Sequence, residues 1–276
     1  MKPTSIGLTV LAMFLLLLPS YVQTQSATSA GELQLGVDSY KNSHYEDAVR
    51  HFEKAVDLDR ANRKARLYLA TACLSQYIPG VDTPDNIRWG NEAIDQYHHV
   101  LDEGSGPTEK RNSAKGIGYV YLSMKRFEDA AHYYQIASDL DPKDPEPFYS
   151  LGVMDWTQSY QSRMEARTRL GLRPQENLDA RNKDQQQVCD ELRAKDMSFV
   201  EQGIDSLKKA IELRPDYDDA MAYLNLTYRE KADLECDDPA ARAQDLKTAD
   251  HWVDQTLAVK KAKGKTISAP TAPSHQ

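Results

Sequence analysis

One helical grammar recurs along this chain: a small residue, a bulky one four positions on, and a small one three after that. It reads Ala48/Phe52/Ala55, Ala93/Tyr97/Val100, Ala130/Tyr134/Ala137, Gly203/Leu207/Ala210 and Ala249/Val253/Thr256. The i, i+4, i+7 spacing places each trio on one helix face. Upstream of each trio lies a bulky residue followed by a small one: Leu35-Gly36, Leu69-Ala70, Ile117-Gly118, Leu151-Gly152 and Leu224-Asn225. A two-helix unit of this kind cannot bury its apolar face alone, so successive units must stack. The pattern therefore predicts an all-α solenoid, a class that mostly binds rather than catalyses.

Composition agrees. Of the 276 residues, 40% are hydrophobic and 28% charged. Good helix formers dominate the middle, and few alternating β-branched runs occur. The formal net charge is -8 with no basic stripe, which argues against nucleic acid as a partner.

The N-terminus reads as a targeting segment. Lys2 supplies a short positive region, Ile6 to Leu18 is apolar apart from Thr9, and Pro19 precedes a polar run to Ala30. This is the layout of a signal peptide, residues 1–28, with Thr24, Ala27 or Ala30 at the cleavage point. Export to the periplasm or medium is the expectation. The alternative is an inner-membrane anchor formed by the same segment left uncleaved, the only membrane contact expected, although the apolar stretch is short for a bilayer span.

Five units are expected over 29–259, at about 29–62, 63–104, 111–144, 145–217 and 218–259, with a period of about 34 residues where nothing interrupts. Unit two carries an insertion from Tyr77 to Arg88, unit four one from about Gly171 to Lys195, and unit five one from Asp233 to Gln244. All three fall in the turn between the first and second helix, so they should decorate one edge. The second helix of unit two is expected from Trp89, that of unit four from Phe199. The unit-four insertion has helix-forming composition over Gln185–Ala194 but no strong apolar stripe. After Val259 a basic and Pro/Ser/Thr-rich tail, 260–276, is expected to be disordered.

These residues resemble the tetratricopeptide repeat (TPR) family. Ile117, Gly118, Tyr121, Ala130, Tyr134, Ala137 and Pro142 match its pattern in unit three. Phe148, Leu151, Gly152, Ala210 and Pro215 match in unit four, and Leu35, Gly36, Ala48, Phe52 and Ala55 in unit one, where Arg60 replaces the expected proline. Units two and five are degenerate. Tyr68–Tyr97 and Ala220–Cys236 look like exported TPR proteins of the acidobacterial type, a group that brings no defined activity with it.

The resemblance implies a concave groove lined by the first helices. Mapped here, its wall includes Val37, Tyr40, Lys41, Thr71, Lys115, Tyr119, Tyr149, Trp156 and Arg229, a set suited to a protein or peptide ligand. The basic clamp by which chaperone-binding members grip a C-terminal carboxylate is missing, since Leu33 and Val37 occupy its opening positions.

Catalytic patterns fail in context, so neither an enzyme, a cofactor nor a metal is expected. Gly116-Ile117-Gly118 follows no strand and has Tyr121 where a third glycine belongs. Asp139, Asp141 and Asp144 begin like a calcium loop, but Lys143 takes a ligand position. Cys189 and Cys236 lie in the insertions of consecutive units on the same edge, and an oxidising compartment would permit a disulfide between them. Cys73 falls at a core position. The functional expectation is an exported scaffold with a partner in its groove. The alternative is an assembly subunit of an envelope complex that uses the decorated edge.

Overall fold

The computed structural model describes residues 28–102, 106–173, 176, 178 and 181–267. Most of the expected signal segment, residues 103–105 and the end of the tail from 268 lie outside them. Ala30, one candidate cleavage point, sits in the first turn of a helix.

Ten helices follow one another among the described residues: α1 (Ser29–Lys41), α2 (Tyr45–Leu58), α3 (Arg63–Gln76), α4 (Pro84–Asp102), α5 (Pro107–Ser123), α6 (Phe127–Leu140), α7 (Pro145–Arg169), α8 (Lys183–Leu213), α9 (Asp218–Leu234) and α10 (Pro239–Ile267). Each packs on its chain neighbours, and α1 touches α3, α5 touches α7, and α7 touches α9. Such near-neighbour packing makes a solenoid of five helical hairpins, as expected.

The small-to-large grammar has a direct structural cause. A methyl group added to Gly36 would lie 2.4 Å from the Phe52 ring, one on Gly118 would lie 3.0 Å from Tyr134, and one on Gly152 would lie 2.4 Å from Leu207. In each case the glycine of the first helix receives the bulky residue of the second. Phe52 and Leu207 are fully buried and Tyr134 is nearly so. The remaining core joins Leu69, Ala72, Ile117 and Val120 in the first half, and Val200, Ile204, Ala220 and Leu224 in the second.

Turns and caps follow from local chemistry. In the two uninterrupted hairpins, Ser43 (φ 62) and Lys125 (φ 59) adopt the left-handed conformation that closes the tight turn. Asn62 caps α3 by accepting from the Ala65 N–H, and Asp144 caps α7 by accepting from the Glu146 N–H.

The insertions depart from expectation. In unit two, α4 starts at Pro84 rather than Trp89. The buried Asn86 side chain accepts from the Ile78 N–H and donates to the Ile78 and Val81 carbonyls, folding the preceding loop onto the helix. In unit four, α8 starts at Lys183, sixteen residues before Phe199. The apolar stripe judged weak from sequence does exist: Val188, Cys189, Leu192 and Val200 are buried. Asn182 caps this extension by accepting from the Asp184 and Gln185 N–H groups. In unit five, only 235–238 separates α9 from α10, and Asp238 caps α10 through the Ala240 and Ala241 N–H groups. The insertions of units four and five are thus largely lengthened helices.

The ordered chain also continues past Val259. Helix α10 runs to Ile267, and Lys263 pairs with Asp218 at 2.6 Å and Asp216 at 3.8 Å. Asp218 begins α9 and Asp216 lies just before it, so Lys263, expected in the tail, instead anchors the last helix.

Between α7 and α8 lies a polar exception. Asp155 is 4% exposed, beside Gly203 of α8, and burial pushes its carboxyl up to about 7. The folded state therefore retains a proton that the unfolded chain releases near pH 4. Stability from this group declines as pH rises from about 4 to about 7, and the full penalty persists above that. Asp155→Asn is expected to gain on the parent across this window and to be more stable by about 2 kcal/mol above pH 7, less than the full shift because the site relaxes. Urea midpoints of both proteins from pH 4 to 8 test this, and a constant difference between them would refute it.

Candidate functional site

The first helices bring an aromatic cluster together. On α7, Tyr149, Trp156 and Tyr160 share a face through the 100° helical step. Trp156 stacks on Tyr160 with centroids 5.1 Å apart, and Tyr223 of α9 meets its ring edge-on at 5.3 Å. Tyr149 lies 4.9 Å from Tyr217 and 5.8 Å from Tyr223. The Arg163 guanidinium sits 5.2 Å from the Tyr160 centroid. Tyr149 and Trp156 are half-buried, while Tyr160 and Leu226 of α9 are exposed. The Trp156 indole N–H is hidden from solvent and meets no acceptor.

Arg163 is held from below. It donates twice to the Glu230 carboxylate, at 2.5 and 2.6 Å, and lies 3.3 Å from Asp233. Asp233 also pairs with Arg167 and Arg242, each at 3.0 Å. This bidentate, partly buried network ties α7, α9 and α10 together and fixes the guanidinium over Tyr160.

The other predicted wall residues are arranged as follows. Tyr119 is 49% exposed and Lys41 is exposed. Val37 is half-buried and packs on the N-terminal core. The Tyr40 hydroxyl bonds Ser75 at 2.9 Å, and the Thr71 hydroxyl donates to the Leu67 carbonyl at 2.8 Å. Lys115 donates to Asp144 at 2.8 Å, and Arg229 to Asn225 at 3.0 Å and Asp250 at 2.7 Å. Lys115 and Arg229 are thus committed to internal pairs.

Sequence mapping missed Tyr160, Tyr217 and Tyr223. Tyr160 had a signal, since it follows Trp156 by four residues. Tyr217 and Tyr223 had none, because their contacts depend on how α9 leans on α7.

Cys189 and Cys236 are brought together as a disulfide with Cα atoms 6.4 Å apart, within the usual span. The Arg193 side chain donates to the Leu234 carbonyl at 2.8 Å beside it and pairs with Asp237. Cys73 is buried, and burial pushes its thiol up to about 12, so it is unreactive.

Among the described residues no group of three or more His, Cys, Asp or Glu could hold a metal ion, and no helix is long and apolar enough to cross a membrane.

Models of the tetratricopeptide repeat match residues 33–98 and 116–144. The chain carries tetratricopeptide repeats. Solved TPR structures share the architecture. A crystal structure of MamA is 16% identical with a TM-score of 0.53, covering 89% of this chain and 98% of that one. A MamA fragment from Desulfovibrio magneticus RS-1 is 14% identical with a TM-score of 0.53, covering 85% and 96%. At this identity the likeness is one of TPR fold alone. Among curated proteins none matches the sequence.

Proposed function

We propose that this TPR protein is an exported scaffold that binds a protein or peptide partner in its first-helix groove, with Trp156, Tyr149, Tyr160 and Tyr223 as the anchor. The observation that carries this reading is the Trp156 ring, supported by aromatics on both sides and with an indole N–H that lacks an acceptor. Partner side chains would cover the half-buried Trp156 ring and the exposed Tyr160 ring. Binding would then be concentrated in a few aromatic contacts.

Export is part of the proposal. It is supported by the apolar stretch Ile6–Leu18 and by the cysteine pair, which needs an oxidising compartment. An uncleaved N-terminal segment holding the protein to the inner membrane is the alternative placement. The scaffold role assigns the chain no reaction, consistent with TPR families in general.

The test is affinity capture from the native envelope with the full chain, followed by titration of the captured partner. Trp156→Ala is expected to weaken binding by about 2–3 kcal/mol, roughly 30- to 150-fold. Tyr149→Ala acts in the same direction and is smaller, because Tyr149 is partly engaged by Tyr217. Undiminished affinity in both variants would refute the groove reading. A second reading is assembly through the decorated edge, favoured by the disulfide-fastened extension of α8 that overhangs unit three.

A further inference from the structure

The lengthened α7–α8 hairpin overhangs the shorter α5–α6 hairpin and leaves a cleft of about 220 Å³ between them. Phe127, at the start of α6, and Phe199 of α8 line it, with Gln158, Gln161, Ser162 and Glu165 contributed by α7 and Lys195 and Asp196 by α8. These α7 positions lie roughly half a turn from Trp156 and Tyr160, so the cleft and the aromatic groove occupy opposite sides of α7.

Asp196 is the unusual residue. It is 1% exposed, and both of its carboxylate oxygens are hidden from solvent without a hydrogen-bond partner. The Ser162 hydroxyl faces it without closing a hydrogen bond. Burial raises its pKa, Glu165 adds to the rise, and Ser162 and Lys195 oppose it. Lys195 is exposed at the rim of the cleft and makes no hydrogen bond to the carboxylate. A buried acid left this way costs several kcal/mol unless something compensates it. The described side chains supply no such group. Outside the described side chains the sequence holds no arginine, and its only lysines there are Lys2 and Lys265.

We propose that this cleft is a second binding site, which takes the guanidinium of an arginine side chain from a partner polypeptide. A guanidinium is planar and presents donors on several edges. Asp196 and Glu165 would accept from it, the amide oxygens of Gln158 and Gln161 add acceptors, and Phe127 and Phe199 offer ring faces for stacking. Charge complementarity favours a basic partner, because the chain carries a net charge of -8. The site would hold a partner along the edge of the solenoid, independently of the groove.

The probe is Nα-acetyl-arginine amide, with the citrulline amide as its neutral, near-isosteric control, titrated into the full disulfide-bonded chain and followed by NMR. Saturable arginine binding at least about tenfold stronger than citrulline binding is expected. Asp196→Asn should keep the helical circular-dichroism spectrum and lose that tenfold preference. Lys195→Ala should tighten arginine binding about threefold by removing a like charge. Glu165→Gln, on an exposed position, should weaken it without risk to the fold, and Trp156→Ala should leave it unchanged. Equal binding of the two amides, absence of saturation, or full arginine binding by a folded Asp196→Asn variant would overturn the proposal.

Discussion

Cys236→Ser is expected to destabilise the C-terminal half by up to about 4 kcal/mol, the chain-entropy value for opening a loop of this length. The bond spans a sequence separation of 47 and ties the start of α8 to the turn between α9 and α10. Without it, the extension over residues 183–196 keeps one face of packing, the Arg193 contacts and an exposed pair between Glu191 and Arg169. It should therefore open locally before the rest unfolds, and hydrogen exchange over those residues should accelerate first. Urea unfolding of the parent with and without reductant should show the same loss. Before reduction, the unfolded parent should take one alkyl label, at Cys73, and three after it. Three labels without reductant would show that the bond does not form.

Phe52→Ala is expected to cost about 3–5 kcal/mol, the range for removing a buried aromatic ring. Phe52 is fully buried, with its ring against Gly36 and stacked 5.6 Å from Tyr68 of the next unit. The loss thus combines a cavity inside one hairpin with a weakened junction to its neighbour. The reciprocal change, Gly36→Ala, forces a methyl group to 2.4 Å from that ring and should cost about 1–3 kcal/mol by overpacking. The two sites share one volume. Gly36→Ala combined with Phe52→Leu should therefore destabilise less than the sum of the single changes, and the shortfall is readable in a double-mutant cycle. Strict additivity would mean that the glycine is not there for the ring, and the account of the repeat pattern would fail with it.

The hairpins were legible because each small-to-large contact joins two consecutive helices and keeps the same helical spacing. Gly36, Gly118 and Gly152 all meet the bulky residue that the pattern assigns to them. The helix ends were less legible. Val188, Cys189 and Leu192 lie among so many polar residues that the α8 extension looked like a surface insertion, and Lys263 looked like tail until its acidic partners at the start of α9 came within reach. In the groove, Tyr149 and Trp156 were identifiable from their positions, whereas Lys115 and Arg229 proved to be tied to Asp144 and Asp250.

The sequence by itself determined the repeat, its count, the all-α class and the seats of Phe52, Tyr134 and Leu207, because helical periodicity and steric fit between consecutive helices follow a regular pattern. Only the tertiary structure decided that Tyr223 closes on Trp156, that the two insertion cysteines meet, and that Asp155 and Asp196 are shut away from water. Those outcomes depend on the stagger and lean of the helices against one another. A side chain's solvation and partners are set by what the neighbouring hairpin places against it, which no short-range pattern encodes.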